Sequence, residues 1–298
     1  MDNDTKHVLV ILGFVACFGA GYFTCKTENR DSLKLGEKLS VFNTIENKLE
    51  NKTDFELSDE KEAIKNAVNG YYQTDDKYFE YSFESDEDDK KEENNYDYSN
   101  NYSISNKIVY INSDSFFVDG IQGFTKFFKD NENPEIDAYI IDLRNNVGGY
   151  TPLSLNVLAY FLDQPLTVGK YHYYNNGEEE ELKISGTKKA NGEKIIILVN
   201  EKTASSAEIF TSAMKQFYNG EVTTIGTTTQ GKGTFQKIQY LSDNELVKYT
   251  AGYYTIGNWE CYDGIGITPD IEVSMDYLSD IICTDNDIQL QKALELLK

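Results

Sequence analysis

The chain has 298 residues, enough for one or two domains with a sizeable core, and 40% of them are hydrophobic. Its 28 basic and 50 acidic residues give a formal net charge of -22, which lacks the basic footprint that nucleic-acid binding needs. Two histidines, and four cysteines with no C-x-x-C pair, leave no histidine-based metal site and no zinc or redox motif.

Between Lys6 and Lys26 run 19 residues free of Asp, Glu, Lys and Arg. That is about the length that crosses a bilayer. The small residues Ala16, Gly19 and Ala20 also suit a cleaved signal peptide, and Phe14-Val15-Ala16-Cys17 suits a lipoprotein signal. The apolar run continues past Cys17 to Phe23, which favours an uncleaved anchor. Residues 1–30 are therefore read as a membrane anchor or signal segment. Lys6 on one side and Lys26 and Arg30 on the other leave its orientation unset.

Residues 31–83 read as helical. Leu35, Leu39, Phe42, Ile45 and Leu49 recur at spacings of three and four, and Ser58-Asp59-Glu60-Lys61 resembles a helix start. The run ESDEDDKKEE at 84–93, followed by a stretch rich in Asn, Ser and Tyr, marks 84–106 as an acidic, exposed linker.

From Lys107 the pattern changes to an α/β alternation. Ile108–Ile111 reads as a strand, Ile121–Phe128 as a helix and Tyr139–Leu143 as a continuous apolar strand. Leu153–Leu162 is helical. Tyr171–Tyr174 and Glu181–Ile184 flank Asn175-Asn176-Gly177, a hairpin signal. Ile195–Val199 is a buried strand, Ala207–Tyr218 a helix and Thr223–Ile225 a strand. Gln236–Leu241 and Leu246–Tyr254 form antiparallel strands. The sum is an α/β core with antiparallel additions.

Three segments carry candidate chemistry. Val199-Asn200 ends a strand, and the chain turns through Glu201-Lys202-Thr203 into a helix near Ser205. Ser205 and Glu208 match a capping box. A strand-turn-helix also lifts a hydroxyl to the sheet edge and aims free backbone N–H groups at an oxyanion. Asp142 to Gly149 (DLRNNVGG) runs from a strand into a glycine pair; Asp142 and Arg144 suit an ion pair, and Gly148 or Gly149 suits an oxyanion donor. In Gly231-Lys232-Gly233 the glycines let the lysine turn inward, and Gln236 follows four residues on. The one histidine beyond the apolar segment, His172, precedes the hairpin turn, and nothing local makes it a triad base. A serine nucleophile here would need Lys232 as its base.

Taken together, DLRNNVGG, VNEKTASSAEIF and GKGTFQ resemble the carboxyl-terminal processing proteases, the tail-specific S41 serine peptidases. The close at Gly252-Tyr253-Tyr254-Thr255 and Asp263 to Asp270 (DGIGITPD) adds to this. The resemblance covers about 107–275. It implies a crotonase/ClpP-like S41 core over 107–298, preceded by an N-terminal helical segment and a transmembrane helix. It implies Ser205 as nucleophile, Lys232 as base and Gln236 as the residue that orients the amine. The amides of Ser206 and of Gly148 or Gly149 would form the oxyanion hole. Ser206 is a second candidate nucleophile.

The 84–106 stretch stands where the family carries a PDZ domain and is too short for one. The implied protein is a single-pass membrane serine endopeptidase with an extracytoplasmic catalytic domain, or a secreted or lipid-anchored form after cleavage. It would act on protein or peptide substrates near their C-terminal tails through an acyl-enzyme, without cofactor or metal; a homo-oligomer is left open. The alternatives are an inactive S41-like peptide-binding protein and a crotonase-type acyl-CoA enzyme.

Overall fold

In a computed structural model, residues 60–83, 102–131, 135–242, 245–257, 261–275 and 286–298 are described. The apolar run at 7–25, the periodic stretch 35–49, the acidic residues 84–101 and Cys283 lie outside them. No helix among the described residues is long and apolar enough to cross a membrane.

The chain divides into two units. The smaller includes 60–83, 240–242 and 245–247. Its helix α1 (Glu60–Tyr72) and strand β1 (Glu80–Phe83) are tied through Asn69. The Asn69 carboxamide accepts from Tyr81 N–H at 2.6 Å and donates to Tyr81 O at 3.0 Å. Tyr72 stacks on Phe79 with centroids 4.6 Å apart.

The larger unit contains β2 (Tyr102–Ser105), β3 (Ile108–Asn112), α2 (Gln122–Asp130), β4 (Ala138–Asp142) and α3 (Thr151–Leu158). It continues through β5 (Leu166–Tyr173), β6 (Glu179–Ile184), β7 (Lys194–Val199), α4 (Ser206–Phe217) and β8 (Val222–Gly226). It ends with β9 (Thr234–Ser242), β10 (Glu245–Ile256), β11 (Ile271–Glu272) and α5 (Ile288–Leu296). Residues 240–242 of β9 and 245–247 of β10 belong to the smaller unit.

The six-stranded sheet has the order β11–β8–β7–β4–β3–β2, parallel throughout except at β2–β3. Every residue of β4 is buried, because a parallel sheet with helices on both faces excludes water from both sides. Tyr139 and Ile141 join the core with Phe124, Phe127 and Phe161, beneath α2 and α3. Ile140, Ile196 and Leu198 face the other way, against Ala293 of α5. The hairpin β5–β6 is antiparallel, β10 pairs with β5, and β9 pairs with β10.

Three features depart from the sequence expectation. Residues 80–83, read with the helical segment, form the strand β1. Residues 102–105, assigned to the linker, form β2, whose burial is partial to none and whose register is set by β3 alone. A polar strand with one neighbour shows no hydrophobic alternation to read. The C-terminal helix α5 was not anticipated. Its cap is Asp287, whose side chain accepts from Leu290 N–H at 3.0 Å and so satisfies one of the free donors of the first turn.

Candidate active site

The parallel strands β4 and β7 end side by side, and their C-terminal turns build the site. After β7, Thr203 hydroxyl donates to Leu143 O at 2.8 Å and Ala204 N–H donates to Asn146 O at 2.9 Å. The turn that carries the serine is thus stitched to the turn after β4. Ser205 follows at φ 55, ψ -119 and opens α4. A non-glycine residue there carries strain on the order of 1–3 kcal/mol, which persists only where surrounding bonds over-determine it. The geometry is that of a strained strand-to-helix elbow, which presents a side chain at the top of a sheet.

Gly148 (φ +96) explains the glycine pair. A Cβ there would lie 2.7 Å from Ala204 O and 2.8 Å from Ser205 Cβ. Only a glycine lets the two turns approach this closely. A Cβ on Gly149 would lie 2.7 Å from the Phe116 carbonyl carbon.

Glu208, in the first turn of α4 and fully buried, gathers the rest. Its Oε2 accepts from Ser205 N–H at 2.9 Å and from Lys232 N–H at 2.8 Å. The two amide nitrogens therefore cannot be farther apart than these two bonds laid end to end. Its Oε1 accepts from Gly231 N–H at 2.8 Å and from Thr229 hydroxyl at 2.5 Å. Burial raises the carboxyl above its usual pKa, against the pull of these four donors.

Lys232 is half-buried, and Tyr254 hydroxyl donates to its carbonyl. Burial lifts the Tyr254 phenol well above its usual value; Tyr262 and Ser205 offset part of this and Glu208 adds to it. Tyr254 thus holds the Lys232 backbone and interacts with the Ser205 side chain. A Cβ on Gly231 would lie 2.6 Å from Gly266 N, and one on Gly233 would lie 2.7 Å from Asp263 N, so both flanking glycines are needed for close passage. Gln236 is the third residue of β9, and its Nε2 is buried with no hydrogen-bond partner among the described residues.

The structure therefore gathers Ser205, Ser206, Gly148, Gly149 and Lys232 in one place. Ser206 is buried and its hydroxyl donates to Gly149 O at 3.0 Å, so it is engaged in the turn. His172 is stacked on Tyr253 and lies 3.0 Å from Thr255 Oγ1 and 3.3 Å from Glu179. Cys261 carries a free thiol, raised in pKa by burial. Among the described residues no group of three or more His, Cys, Asp or Glu is arranged to hold a metal. Three residues escaped the sequence reading. Asn146 and Tyr254 stood in quoted motifs without a role, and Glu208 was read only as a cap, although a buried Glu four residues past a turn is the signal that could have flagged a shared acceptor.

Glu208→Gln is expected to leave two of the four donors facing an NH2 group, and so to lower stability by about 1–3 kcal/mol. The pH dependence has a definite sign. The folded pKa of Glu208 lies above the unfolded one, so its contribution is fully present below the unfolded value and is lost as pH rises through the folded value. Urea unfolding of both proteins across that window checks this. The wild-type advantage should shrink as pH rises, and a constant or growing advantage would contradict the assignment.

Residues 107–273 match the model of peptidase family S41. A segment of 135 residues is 37% identical to the "Probable CtpA-like serine protease" of Staphylococcus epidermidis, covering 45% of this chain and 27% of that protein. A segment of 167 residues is 32% identical to the "Carboxyl-terminal-processing protease" of Synechocystis, covering 56% of this chain and 38% of that protein. The chain thus spans well under half the length of the curated relatives it matches. In fold it is similar to a lipoprotein from Streptococcus agalactiae, with a TM-score of 0.61 and 19% identity over 95% of this chain and 96% of that one. With more than half of its length matched by the family model, the chain belongs to peptidase family S41.

Proposed function

We propose that the chain is a serine endopeptidase with Ser205 as nucleophile and Lys232 as general base, cleaving proteins or peptides at or near their C-terminal tails through an acyl-enzyme. The observation that carries this reading is the single Glu208 oxygen that receives both the Ser205 and the Lys232 amides, beside a strained Ser205.

In the first step neutral Lys232 Nζ takes the proton from Ser205 Oγ as that oxygen bonds to the substrate carbonyl carbon. The carbonyl π electrons move to oxygen, where two backbone N–H groups stabilise the developing charge. The intermediate collapses, the C–N bond breaks, and the Lys232 ammonium protonates the leaving amine. Water, deprotonated by Lys232, then attacks the ester carbonyl; as the C–Oγ bond breaks, the Lys232 ammonium returns a proton to Ser205 Oγ and the acid product leaves. For this the lysine pKa must fall from about 10.4 to near 7–8. The apolar segment at 7–25 would place the enzyme at the membrane with its catalytic part extracytoplasmic.

The test is reaction of the full chain with a serine-directed fluorophosphonate. Stoichiometric labelling, with hydrolysis of an unstructured peptide, is the expected result. A chain that binds the peptide and neither reacts nor cleaves would replace this reading with that of a peptide-binding protein.

A further inference from the structure

The motif after β4 offers two glycine amides as oxyanion donors, and they are not equivalent. Gly148 N–H donates to Asn146 Oδ1 at 2.9 Å, an Asx turn that removes this amide from use. Gly149 N–H and Ser206 N–H have no hydrogen-bond partner among the described residues. The Gly148 carbonyl accepts from Phe116 N–H at 2.8 Å. In a trans peptide C=O and N–H point in opposite directions, so Gly149 N–H is turned away from Phe116. A Cβ on Gly148 would lie 3.0 Å from Ser206 N, so the Gly148–Gly149 peptide adjoins the other free amide.

Asn146 controls each part of this arrangement. It is fully buried. Its Nδ2 donates to Ser113 O at 2.9 Å and reaches Ser113 Oγ at 3.5 Å, anchoring the segment that delivers Phe116 N–H three residues later. Its carbonyl accepts from Ala204 N–H at 2.9 Å, one residue before Ser205. Its own N–H closes the turn onto Leu143 O at 3.1 Å.

We infer that Asn146 is the positioning residue of the oxyanion hole: by capping Gly148 N–H and holding the Phe116 segment, it makes Gly149 N–H, with Ser206 N–H, the donor pair. The inference rests on the Ser205–Lys232 reading and goes beyond it. An oxyanion donor acts on the transition state and hardly on the bound substrate. In Asn146→Ala, and to a smaller extent in Asn146→Asp, which keeps the acceptor for Gly148 N–H and loses the donor to Ser113, kcat should fall by roughly 10²–10³ with KM nearly unchanged.

A loss that tracks the fraction of folded protein, or kcat within about twofold of wild type in a folded variant, overturns the assignment. Should neither variant fold, the wild-type chain answers directly. Fluorophosphonate places a P–O oxygen in the hole, so amide hydrogen exchange at Gly149 and Ser206 should slow at least about tenfold on labelling while that at Gly148 stays as it was. Slowing at Gly148, or none at Gly149, overturns the inference. If Ser205→Ala cleaves undiminished, the catalytic reading itself has failed; if Ser205→Ala is dead and Asn146→Ala is fully active, only the role of Asn146 has.

Discussion

Ser205→Ala is expected to reduce peptide hydrolysis by the full chain by roughly 10⁴-fold or more, and Lys232→Ala by about 10²–10⁴-fold. The serine hydroxyl is the atom that bonds to substrate, and no other hydroxyl sits on the strained elbow at φ 55. Ser206 is the control. Its hydroxyl is spent on Gly149 O, so Ser206→Ala should lose a few-fold through a loosened turn, within the reach of one neutral hydrogen bond. Lys232→Arg separates base from cation. A guanidinium keeps the positive charge and cannot give up its proton, so it should be as inactive as alanine. The Ser205→Ala, Lys232→Ala double variant should be little worse than the serine variant alone, because groups acting as one unit are not additive. Steady-state hydrolysis of an unstructured peptide measures all of these.

Arg144→Met is expected to destabilise the larger unit by about 3–5 kcal/mol, a large share of a typical folding free energy of about 5–15 kcal/mol. Arg144 is 3% exposed. Its Nε reaches Asp142 at 2.9 and 3.1 Å, and its Nη2 reaches Asp142 Oδ2 at 2.5 Å. The other side of the guanidinium meets Asp287 at 2.8 Å on both nitrogens, and Gln289 at 3.2 Å. Burial alone would lower the guanidinium pKa, but the bonds to Asp142 and Asp287 outweigh it and raise it. Removing the cation leaves two buried carboxylates without it, with Tyr110 hydroxyl at 2.7 Å as the remaining side-chain donor to Asp142 among the described residues. Lysine should not rescue, since a single ammonium cannot reproduce the two-sided fork. Asp287→Ala removes a partner and the α5 cap together, so amide exchange in α5 should accelerate ahead of the sheet. Urea unfolding and hydrogen exchange read both effects; a midpoint for Arg144→Met equal to wild type would contradict the account.

The parts of the site that are legible in the sequence are those coded locally. The apolar residues 139–141 and 195–199 mark buried parallel strands. Glycines at 148 and 149 announce a close approach, and Ser205 with Glu208 announces a helix start. What is not legible depends on partners far along the chain. Arg144 and Asp142 pair across two residues and were readable as an ion pair, but Asp287 lies 143 residues away, on a helix whose sequence shows only a modest cap. Glu208 reads as a capping residue because its bond to Ser205 is local; its bonds to Gly231 and Lys232 join segments that nothing in a linear pattern links. Asn146 reads as a turn residue, and its work depends on Ser113 and Ala204. The strand at 102–105 is set by pairing with β3 and not by its own composition.

The central claim is that Ser205, activated by Lys232, forms a covalent bond with substrate. Its most direct test is peptide mapping by mass spectrometry of the full chain after reaction with a fluorophosphonate, alongside Lys232→Ala treated identically. The account predicts one adduct, on the peptide containing Ser205 and localised to that residue by fragmentation, and its near absence in Lys232→Ala. An adduct on Ser206, or labelling of Ser205 that proceeds equally well without Lys232, would contradict it.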